Sequence, residues 1–524
     1  MTVTLYQNPT LRGMFPDPSI VRVDDTFFMV NSTFEYYPGI ALSTSKDLMN
    51  WTRLPGIAQT PLQADLRQAQ SNEGIFAACI RYHLGYFYVI TTNFAEFKNF
   101  VIRGTLSSDG TSIIWEDKRT EIDIFGIDPD LYFEDGRTYV QFTGYIDDKG
   151  TKAIQQVEID LTSGNILAGP RVLSFGSGGR DVEGPHLIKR DEWYYLLAAE
   201  GGTGQGHMIT MFRSQSLWGP FEGAPTNPLF TNRDRAMEAL QNIGHADIFQ
   251  DTNGNWWLTC LGTRPATINH TQLTTIGRET LLYPVDWSGD WPLIYNGIPT
   301  ETVDLSHFPH HAKTLSPQII SAFVDTFTSH SLHPEWLTLR SNLDNRLSLT
   351  TGKLYLKGSP VQLSDLGTPS FIGLRQTEHH ESLVLDINPT DTKVNTGSFG
   401  IAVIIDSSHY GALLVEKSDI GYDIFKKVQV LDLHIHEKVA TLPNLPNQLC
   451  VEHGTDFKRF TAKDVNTTVT FDLHAQHFSN EAIAALNTGN IAGLYVLGDA
   501  EVSLKKAYRG KLGKRNASNN HQIS

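Results

Sequence analysis

The sequence has few cysteines, no long hydrophobic run and no excess of positive charge. Three cysteines, Cys79, Cys260 and Cys450, are too few and too widely spaced for a disulfide framework or a metal-binding motif. A formal net charge of -15 argues against nucleic acid or an anionic membrane surface as the partner. No stretch approaches the roughly 18 apolar residues of a membrane span. The N-terminus also lacks the basic and apolar regions of a signal peptide. We therefore expect a soluble, cytoplasmic protein.

Aromatic residues and glycine are present in quantity. The chain has 10% aromatic residues and 43 glycines, a composition typical of a β-rich protein with many tight turns. Aromatic side chains can also stack on sugar rings. The length of 524 residues is sufficient for two or three domains.

One pattern recurs five times in the first 260 residues. Each copy has a short apolar segment, a polar turn and an aromatic run, which together predict an antiparallel hairpin. The anchoring apolar residues of the five copies are Ile20, Ile80, Leu131, Leu187 and Ile248. They recur at about 50 to 60 residues, the spacing of four-stranded propeller blades. The sequence therefore predicts a five-bladed β-propeller.

Acidic residues cluster at one position of this repeat. The residues three before each anchor are Asp17, Ala77, Asp128, Gly184 and His245, and Glu183 comes one residue earlier in the fourth copy. An aspartate before proline is by itself most often a turn residue. However, the first strand of every blade lines the central axis. Three carboxylates and a histidine are therefore expected to converge at one end of the channel.

The second half of the chain has a different pattern. From about Asn296 the blade motif is absent, and from Ala322 to about Gly510 many short alternating segments predict a second all-β domain, a sandwich. We assign residues 1–305 to the catalytic propeller, 306–321 to a linker, 322–510 to the C-terminal β-sandwich and 511–524 to a basic and polar tail.

Several motifs together resemble glycoside hydrolase family 43, in particular its two-domain β-xylosidases and α-L-arabinofuranosidases. These motifs are FPDPS at 15–19, GIDP at 126–129, EGPH at 183–186, AEGGT at 199–203, GHAD at 244–247 and GRET at 277–280. A weaker resemblance, through FVDTF at 323–327 and WLTLR at 336–340, extends to the concanavalin A-like sandwich of that branch.

The resemblance implies a role for each candidate residue. Asp17 would be the general base, Glu183 the general acid, and Asp128 the carboxylate that orients the acid and tunes its pKa. Five further residues would surround the terminal sugar: Phe34, Phe76, Thr203, His245 and Arg278. No cofactor is expected, although the resemblance allows a calcium ion near His245.

Two departures from the family pattern accompany these assignments. The chain has Phe76, Ala77 and Ala78 where relatives often have Trp-Ala-Pro, and it has Asp130 where they often have serine after Asp-Pro. The first departure lies at the predicted sugar-stacking wall and leaves substrate choice open.

The expected activity is exo-acting, inverting hydrolysis that releases a pentose from the non-reducing ends of xylo-oligosaccharides. The main alternative is an α-L-arabinofuranosidase, or an enzyme with both activities. A retaining fructan hydrolase would need Arg-Asp-Pro and Asn-Asp-Pro motifs, which are absent. A non-catalytic carbohydrate-binding propeller is the alternative from another class, and the three carboxylates argue against it. The expected partner is a small oligosaccharide, and a homo-oligomer is left open.

Overall fold

The computed structural model describes residues 3–511, whose regular secondary structure is almost entirely β-strand. Within that range, no helix is long and apolar enough to cross a membrane. Its helical segments are short: the 3₁₀ turns His311–Lys313, Asp344–Arg346 and Ala475–Phe478 and the α-helix Asn480–Ile483. The predicted tail 511–524 lies, apart from residue 511, outside the described residues.

Five antiparallel sheets follow one another along the first 300 residues. The first contains Ser19–Val23, Thr26–Ser32, Ile40–Ser45 and Thr52–Ile57. The second contains Cys79–His83, Tyr86–Asn93, Lys98–Leu106, Ile113–Trp115 and Thr120–Ile122. The third contains Ile127–Glu134, Arg137–Tyr145, Lys152–Ile159 and Ile166–Ser174. The fourth contains Glu183–Arg190, Trp193–Glu200, Met208–Ser214 and Glu222–Gly223. The fifth contains Gln241–Gln250, Trp256–Thr263, Glu279–Asp286 and Leu293–Ile294, and a small hairpin, Ala266–Ile268 with Thr271–Leu273, extends from it.

The first strands of these sheets form a closed ring. Each contacts the first strand of the next sheet, and Gln241–Gln250 of the fifth contacts Ser19–Val23 of the first. All five predicted anchors lie buried in these strands. The N-terminal strand Leu5–Gln7 pairs with Thr302–Asp304 at the other end of this unit, so the ends of the propeller are joined by a two-stranded sheet. The propeller prediction is therefore confirmed.

The connection after the propeller is packed rather than extended. His311 lies in its 3₁₀ turn, and its Nε2 contacts the backbone oxygen of Trp256 at 2.9 Å. Leu315 and Ala312 are buried against the fifth sheet. The extent of the linker, 306–321, stays a prediction.

Two facing sheets form the C-terminal sandwich. One contains Phe323–Asp325, Leu347–Thr350, Lys353–Lys357, Glu381–Ile387, Gln448–His453, Phe457–Lys463, Thr468–His474 and Glu501–Gly510. The other contains Ser370–Arg375, Ser398–Asp406, His409–Ser418, Gly421–Val430, Leu433–Leu442 and Ile491–Leu497. Their inner faces share one apolar core, to which Leu385, Ile401 and Val451 contribute fully buried side chains. The sandwich prediction is confirmed.

The two domains share backbone pairing as well as side-chain contacts. Tyr36–Tyr37 of the propeller pairs with Thr338–Leu339, which precede the sandwich core. Arg340 donates from Nε to the backbone oxygen of Ala69 at 2.7 Å. Tyr36 is fully buried in the apolar cluster at this interface. The sandwich therefore packs against the propeller loops at 33–39 and 66–74.

A close backbone contact between domains generates a test. Cβ on Gly489, in the sandwich, would lie 2.0 Å from the backbone oxygen of Ile276, in the propeller. We expect Gly489→Ala to destabilise the protein by about 1–3 kcal/mol, the usual range for overpacking, as measured by thermal unfolding. Gly289→Ala is the control, since a Cβ there would lie 4.0 Å from the backbone oxygen of Trp291. Equal melting temperatures for both variants would contradict the tight interface.

Candidate active site

The innermost strands carry backbone irregularities at the predicted catalytic positions. Asp17, Asp128, Gly184 and His245 have positive φ values of 50°, 54°, 59° and 43°. Strand register shifts occur around the last three, between Ile127 and Asp130, between Glu183 and His186, and between Gly244 and Asp247. Bulges of this kind redirect side chains, and left-handed non-glycine residues concentrate at functional sites. The repeat position therefore marks a common local conformation.

Asp17 is buried and surrounded by donors. Arg278 donates from Nη1 to its Oδ1 at 3.0 Å, and the Ser32 hydroxyl donates to its Oδ2. Nδ1 of His245 lies 3.7 Å from the same Oδ1. Burial raises the pKa of Asp17, but Arg278, His245 and Ser32 outweigh that effect and hold the pKa below its ordinary value. Asp17 is therefore ionised at neutral pH.

Glu183 has the opposite electrostatic environment. Burial raises its pKa to about 8, with the neighbouring Asp128 as the second cause and Asp17 adding to it, while Lys152 and Arg278 oppose the rise. Burial is also the first cause that raises the pKa of Asp128. The backbone N–H of Gly184 donates to Asp128 Oδ2 at 3.2 Å. Glu183 is therefore protonated at neutral pH, close to an ionised Asp17.

His207 is a site residue that the sequence patterns did not indicate. Burial lowers its pKa to about 3, so its imidazole is neutral. Its Nδ1 lies 3.2 Å from the backbone oxygen of Asn242, which requires the proton on Nδ1. The unprotonated Nε2 lies 3.8 Å from Glu183 Oε1 and has no other partner. This arrangement is complementary to a protonated Glu183. Since His207 lies outside every repeated motif, its position depends on tertiary structure alone.

The residues predicted around the sugar lie beside Asp17. Arg278 also donates from Nη1 to Thr203 Oγ1 at 3.0 Å, and its guanidinium carbon lies 5.4 Å from the centre of the Phe34 ring. The Phe34 and Phe76 rings are 5.7 Å apart. Gly184 must be glycine, because a Cβ there would lie 3.0 Å from the His245 ring. The structure thus brings all eight predicted residues into one connected neighbourhood, while their individual roles stay predictions.

Deeper in the channel, the side chain of Arg81 binds groups from all five blades. Its Nη1 donates to Asp247 Oδ2 at 2.8 Å, to Ser19 Oγ at 3.2 Å and to the backbone oxygen of Ile80 at 2.9 Å. Its Nη2 donates to Asp130 Oδ2 at 2.8 Å and lies 2.9 Å from His186 Nδ1. The two carboxylates are almost fully buried. One guanidinium therefore pairs with both carboxylates and offsets one of their two negative charges.

This cluster gives a reason for the second departure from the family pattern, the aspartate at position 130. The cluster also had a signal in the sequence. Asp130, where relatives often have serine, is a partner of Arg81. The side chains one position before the five anchors all contact this cluster: Ser19, Cys79, Asp130, His186 and Asp247. The sequence signal for this cluster was a polar or thiol side chain one position before the anchor in every repeat.

The residues near His245 do not fit a calcium ion. Calcium binds about six to eight oxygen ligands. Asp17, the carboxylate nearest His245, is bonded to Arg278, and Asp130 and Asp247 are bonded to Arg81. Cys79, Asp130 and His186 have ligand atoms within 4.8 Å of one another, but the guanidinium contacts two of these three. We therefore assign no step of the chemistry to a metal.

Comparison with known proteins agrees with this geometry. Residues 6–292 match the family model described as Glycosyl hydrolases family 43, and residues 324–508 match the Beta xylosidase C-terminal Concanavalin A-like domain. The chain is 32% identical to a non-reducing end α-L-arabinofuranosidase of Bacteroides ovatus, over 96% of this chain and 93% of that protein. It is 34% identical to a xylosidase/arabinosidase of Butyrivibrio fibrisolvens, over 80% of this chain and 81% of that protein. A solved structure of a xylan β-1,4-xylosidase from Bacillus halodurans matches with a TM-score of 0.85 at 26% identity, over 96% of this chain and all of that chain.

The Arg81 cluster generates a stability test. Arg81→Met would leave two buried carboxylates unpaired, so we expect a loss of about 3–5 kcal/mol in the free energy of unfolding, measured by urea titration. The triple variant Arg81→Met, Asp130→Asn, Asp247→Asn removes the unpaired charges and should recover part of that loss. Arg137→Met is the control, because its pairing with Glu158 is exposed on the arginine side and is expected to contribute at most about 1 kcal/mol. If Arg81→Met lost no more free energy of unfolding than Arg137→Met, the proposed pairing of Arg81 with the two buried carboxylates would be contradicted.

Proposed function

The chain belongs to glycoside hydrolase family 43, and from that premise we propose that it is an exo-acting, inverting enzyme that releases a terminal pentose from xylo-oligosaccharides or arabinose-bearing fragments of them. The observation that carries this proposal is the opposite setting of two carboxyl groups: Asp17 accepts from Arg278 and Ser32, whereas Glu183 is mostly buried beside Asp128, which accepts from the backbone N–H of Gly184. Asp17 has a lowered pKa, and Glu183 has a pKa raised to about 8. That difference is what acid–base catalysis of glycoside hydrolysis requires.

Each carboxyl group has a defined task in this mechanism. Glu183 donates its proton to the leaving-group oxygen while Asp17 accepts a proton from the attacking water on the opposite face of the ring. Arg278 and Ser32 hold Asp17 ionised and in place. Burial, and after it charge repulsion from Asp128, keeps the pKa of Glu183 raised and its carboxyl group protonated. The unprotonated Nε2 of His207 lies 3.8 Å from Oε1 of Glu183, beyond hydrogen-bond distance, and is compatible with a protonated Glu183. No other group is needed for the single displacement.

Exo action is supported by the loop at 484–490 of the sandwich. Nδ2 of Asn487 donates to the backbone oxygen of Asn72 at 3.1 Å, and Gly489 packs against Gly277, the residue before Arg278. Phe76 follows the first contact by four residues. The sandwich therefore limits the space on one side of the pocket, which favours a chain end over a chain interior.

The identity of the pentose is the finer part of the proposal. The relatives named above include an α-L-arabinofuranosidase, a xylosidase/arabinosidase and a xylan β-1,4-xylosidase. We propose β-xylosidase as the main activity and arabinofuranosidase, alone or together with it, as the second candidate. Cytoplasmic action, the absence of a cofactor and the oligomeric state stay predictions. Cell fractionation, activity after dialysis against a chelator and light scattering would test them in turn.

Product analysis tests the proposed activity. We expect xylose from xylobiose, with a smaller yield of arabinose from an arabinose-bearing xylo-oligosaccharide; the reverse would make the enzyme an arabinofuranosidase. Glu183→Gln should lower kcat by about 10²- to 10⁴-fold, because general acid catalysis is lost. Absence of either sugar with the wild-type protein would contradict the proposal.

The pH profile tests the role of Asp128. kcat/KM should fall above pH 8 as Glu183 loses its proton, and should fall on the acid side only below the ordinary pKa of an aspartate, since Asp17 is stabilised in its ionised form. Asp128→Asn removes a negative charge, so the pKa of Glu183 should fall and the basic limb should move to lower pH. Lys152→Met removes an opposing charge and should move that limb to higher pH. An unchanged basic limb in Asp128→Asn would refute the assigned role.

A further inference from the structure

An aromatic cavity opens between the second and third blades next to the candidate active site. Its volume is about 200 Å³. Three of its aromatic side chains are exposed, Phe97 by 66%, Phe125 by 75% and Tyr145 by 51%. Large exposed aromatic groups in one patch are unusual on a soluble protein and commonly mark a binding surface. Nothing in the mechanism above uses this cavity.

Stacked rings connect the cavity to the sugar-binding wall. Phe94 lines the cavity, and its ring is parallel to that of Phe76, with centres 4.6 Å apart. Phe94 in turn contacts Phe97 at 4.6 Å, and Phe76 contacts Phe34. The exposed patch is therefore the outer end of an aromatic series that begins beside Arg278.

The cavity lies on the side of the proposed general acid. Lys152, one of its lining residues, donates to Asp181 at 2.7 Å and is a charge that acts on Glu183. Gly126 and Ile127 also line it and lead directly into Asp128. Because the general acid acts on the leaving-group oxygen, a ligand in this cavity would be attached on the leaving-group side of the scissile bond.

The cavity walls have little free hydrogen-bonding capacity. Thr92 donates to Asn99 Oδ1 at 2.6 Å, and Asn99 donates to the backbone oxygens of Ile124 and Gly126. Lys152 is paired with Asp181. The hydroxyl of Thr143 has no partner but is closed to solvent, so the exposed Tyr145 and the remaining donors of Lys152 are the described polar groups that could meet a ligand. A sugar would bury hydroxyl groups there without partners, at a free-energy cost for each, whereas a flat apolar ring would not.

We propose that this cavity, the Phe97–Phe125 cavity, binds an aromatic ring carried on the leaving-group side of the substrate. The inference rests on the proposed function, since it assigns the leaving-group side from the role of Glu183. It extends that function to pentosides whose leaving group is, or carries, a phenolic ring.

Kinetics with paired substrates test the proposal. For the pentose that the enzyme releases, kcat/KM is measured with a 2-naphthyl glycoside and with the corresponding disaccharide, in the wild type and in Phe97→Ala, Phe125→Ala. Comparing variant with wild type for each substrate separately cancels the difference in leaving-group reactivity. Aromatic contacts of this kind contribute about 0.5–1.5 kcal/mol, so we expect a loss of about 3- to 10-fold with the naphthyl glycoside and less than about 2-fold with the disaccharide.

The matched control is Phe175→Ala, since Phe175 is 58% exposed and lies outside the cavity; it should leave both values unchanged. Direct binding of 2-naphthol, followed by fluorescence, should also weaken in the double variant but not in the control. Equal losses of kcat/KM with both substrates would overturn the proposal that the cavity binds an aromatic ring. No loss with either substrate, together with unchanged naphthol binding, would also overturn it. If the wild type is a dimer and the double variant is a monomer, the exposed aromatic patch contacts a second copy of the chain. That result would also overturn the proposal. A wild type that hydrolyses neither substrate but binds naphthol in this cavity would instead refute the proposed function, and with it the leaving-group assignment.

Discussion

The propeller depends on one buried charge at its axis. Five first strands come together there, and each brings backbone and side-chain polar groups into a space with little water. The guanidinium of Arg81, from the second blade, binds Ser19, Asp130, His186 and Asp247 from the other four. Because its donors lie in a plane and point in several directions, arginine can satisfy such a set where a lysine could not. The cluster therefore joins blades that are distant in sequence.

The active-site neighbourhood sits two residues away from this cluster along each strand. Of the residues one before the anchors, the two carboxylates share the guanidinium of Arg81, whereas the outer layer holds Asp17, paired with Arg278, near Asp128 and Glu183. That difference gives the two layers different tasks. In the outer layer, Arg278 and His245 outweigh burial and lower the pKa of Asp17, while burial and the charge of Asp128 raise the pKa of Glu183. Of these two layers, the outer one contains the left-handed residues, where side chains must be redirected into the pocket.

The second domain contributes to the same pocket through backbone contacts. Its strand at Thr338–Leu339 pairs with the loop strand after Phe34, and its loop at 484–490 packs against the residues before Arg278 and Phe76. Both contacts restrain residues that line the pocket. The aromatic series from Phe34 through Phe76 and Phe94 then extends away from the sandwich toward the Phe97–Phe125 cavity. A terminal sugar and its leaving group would thus meet different surfaces.

The sequence by itself determined the repeat, the all-β class, the two-domain order and the three carboxylates, because strand periodicity and turn chemistry are local and the repeat places equivalent residues at one axis. Only the tertiary structure decided what surrounds those residues. His207 belongs to no repeated position, yet it reaches Glu183; Tyr36 lies near Phe34 in sequence, yet it is buried between the domains. Arg81 lies one residue after its anchor, and the charge it neutralises comes from strands more than 45 residues away. The environments of His207, Tyr36 and Arg81 are set by burial and by contacts between residues distant in sequence, and a local sequence pattern predicts neither.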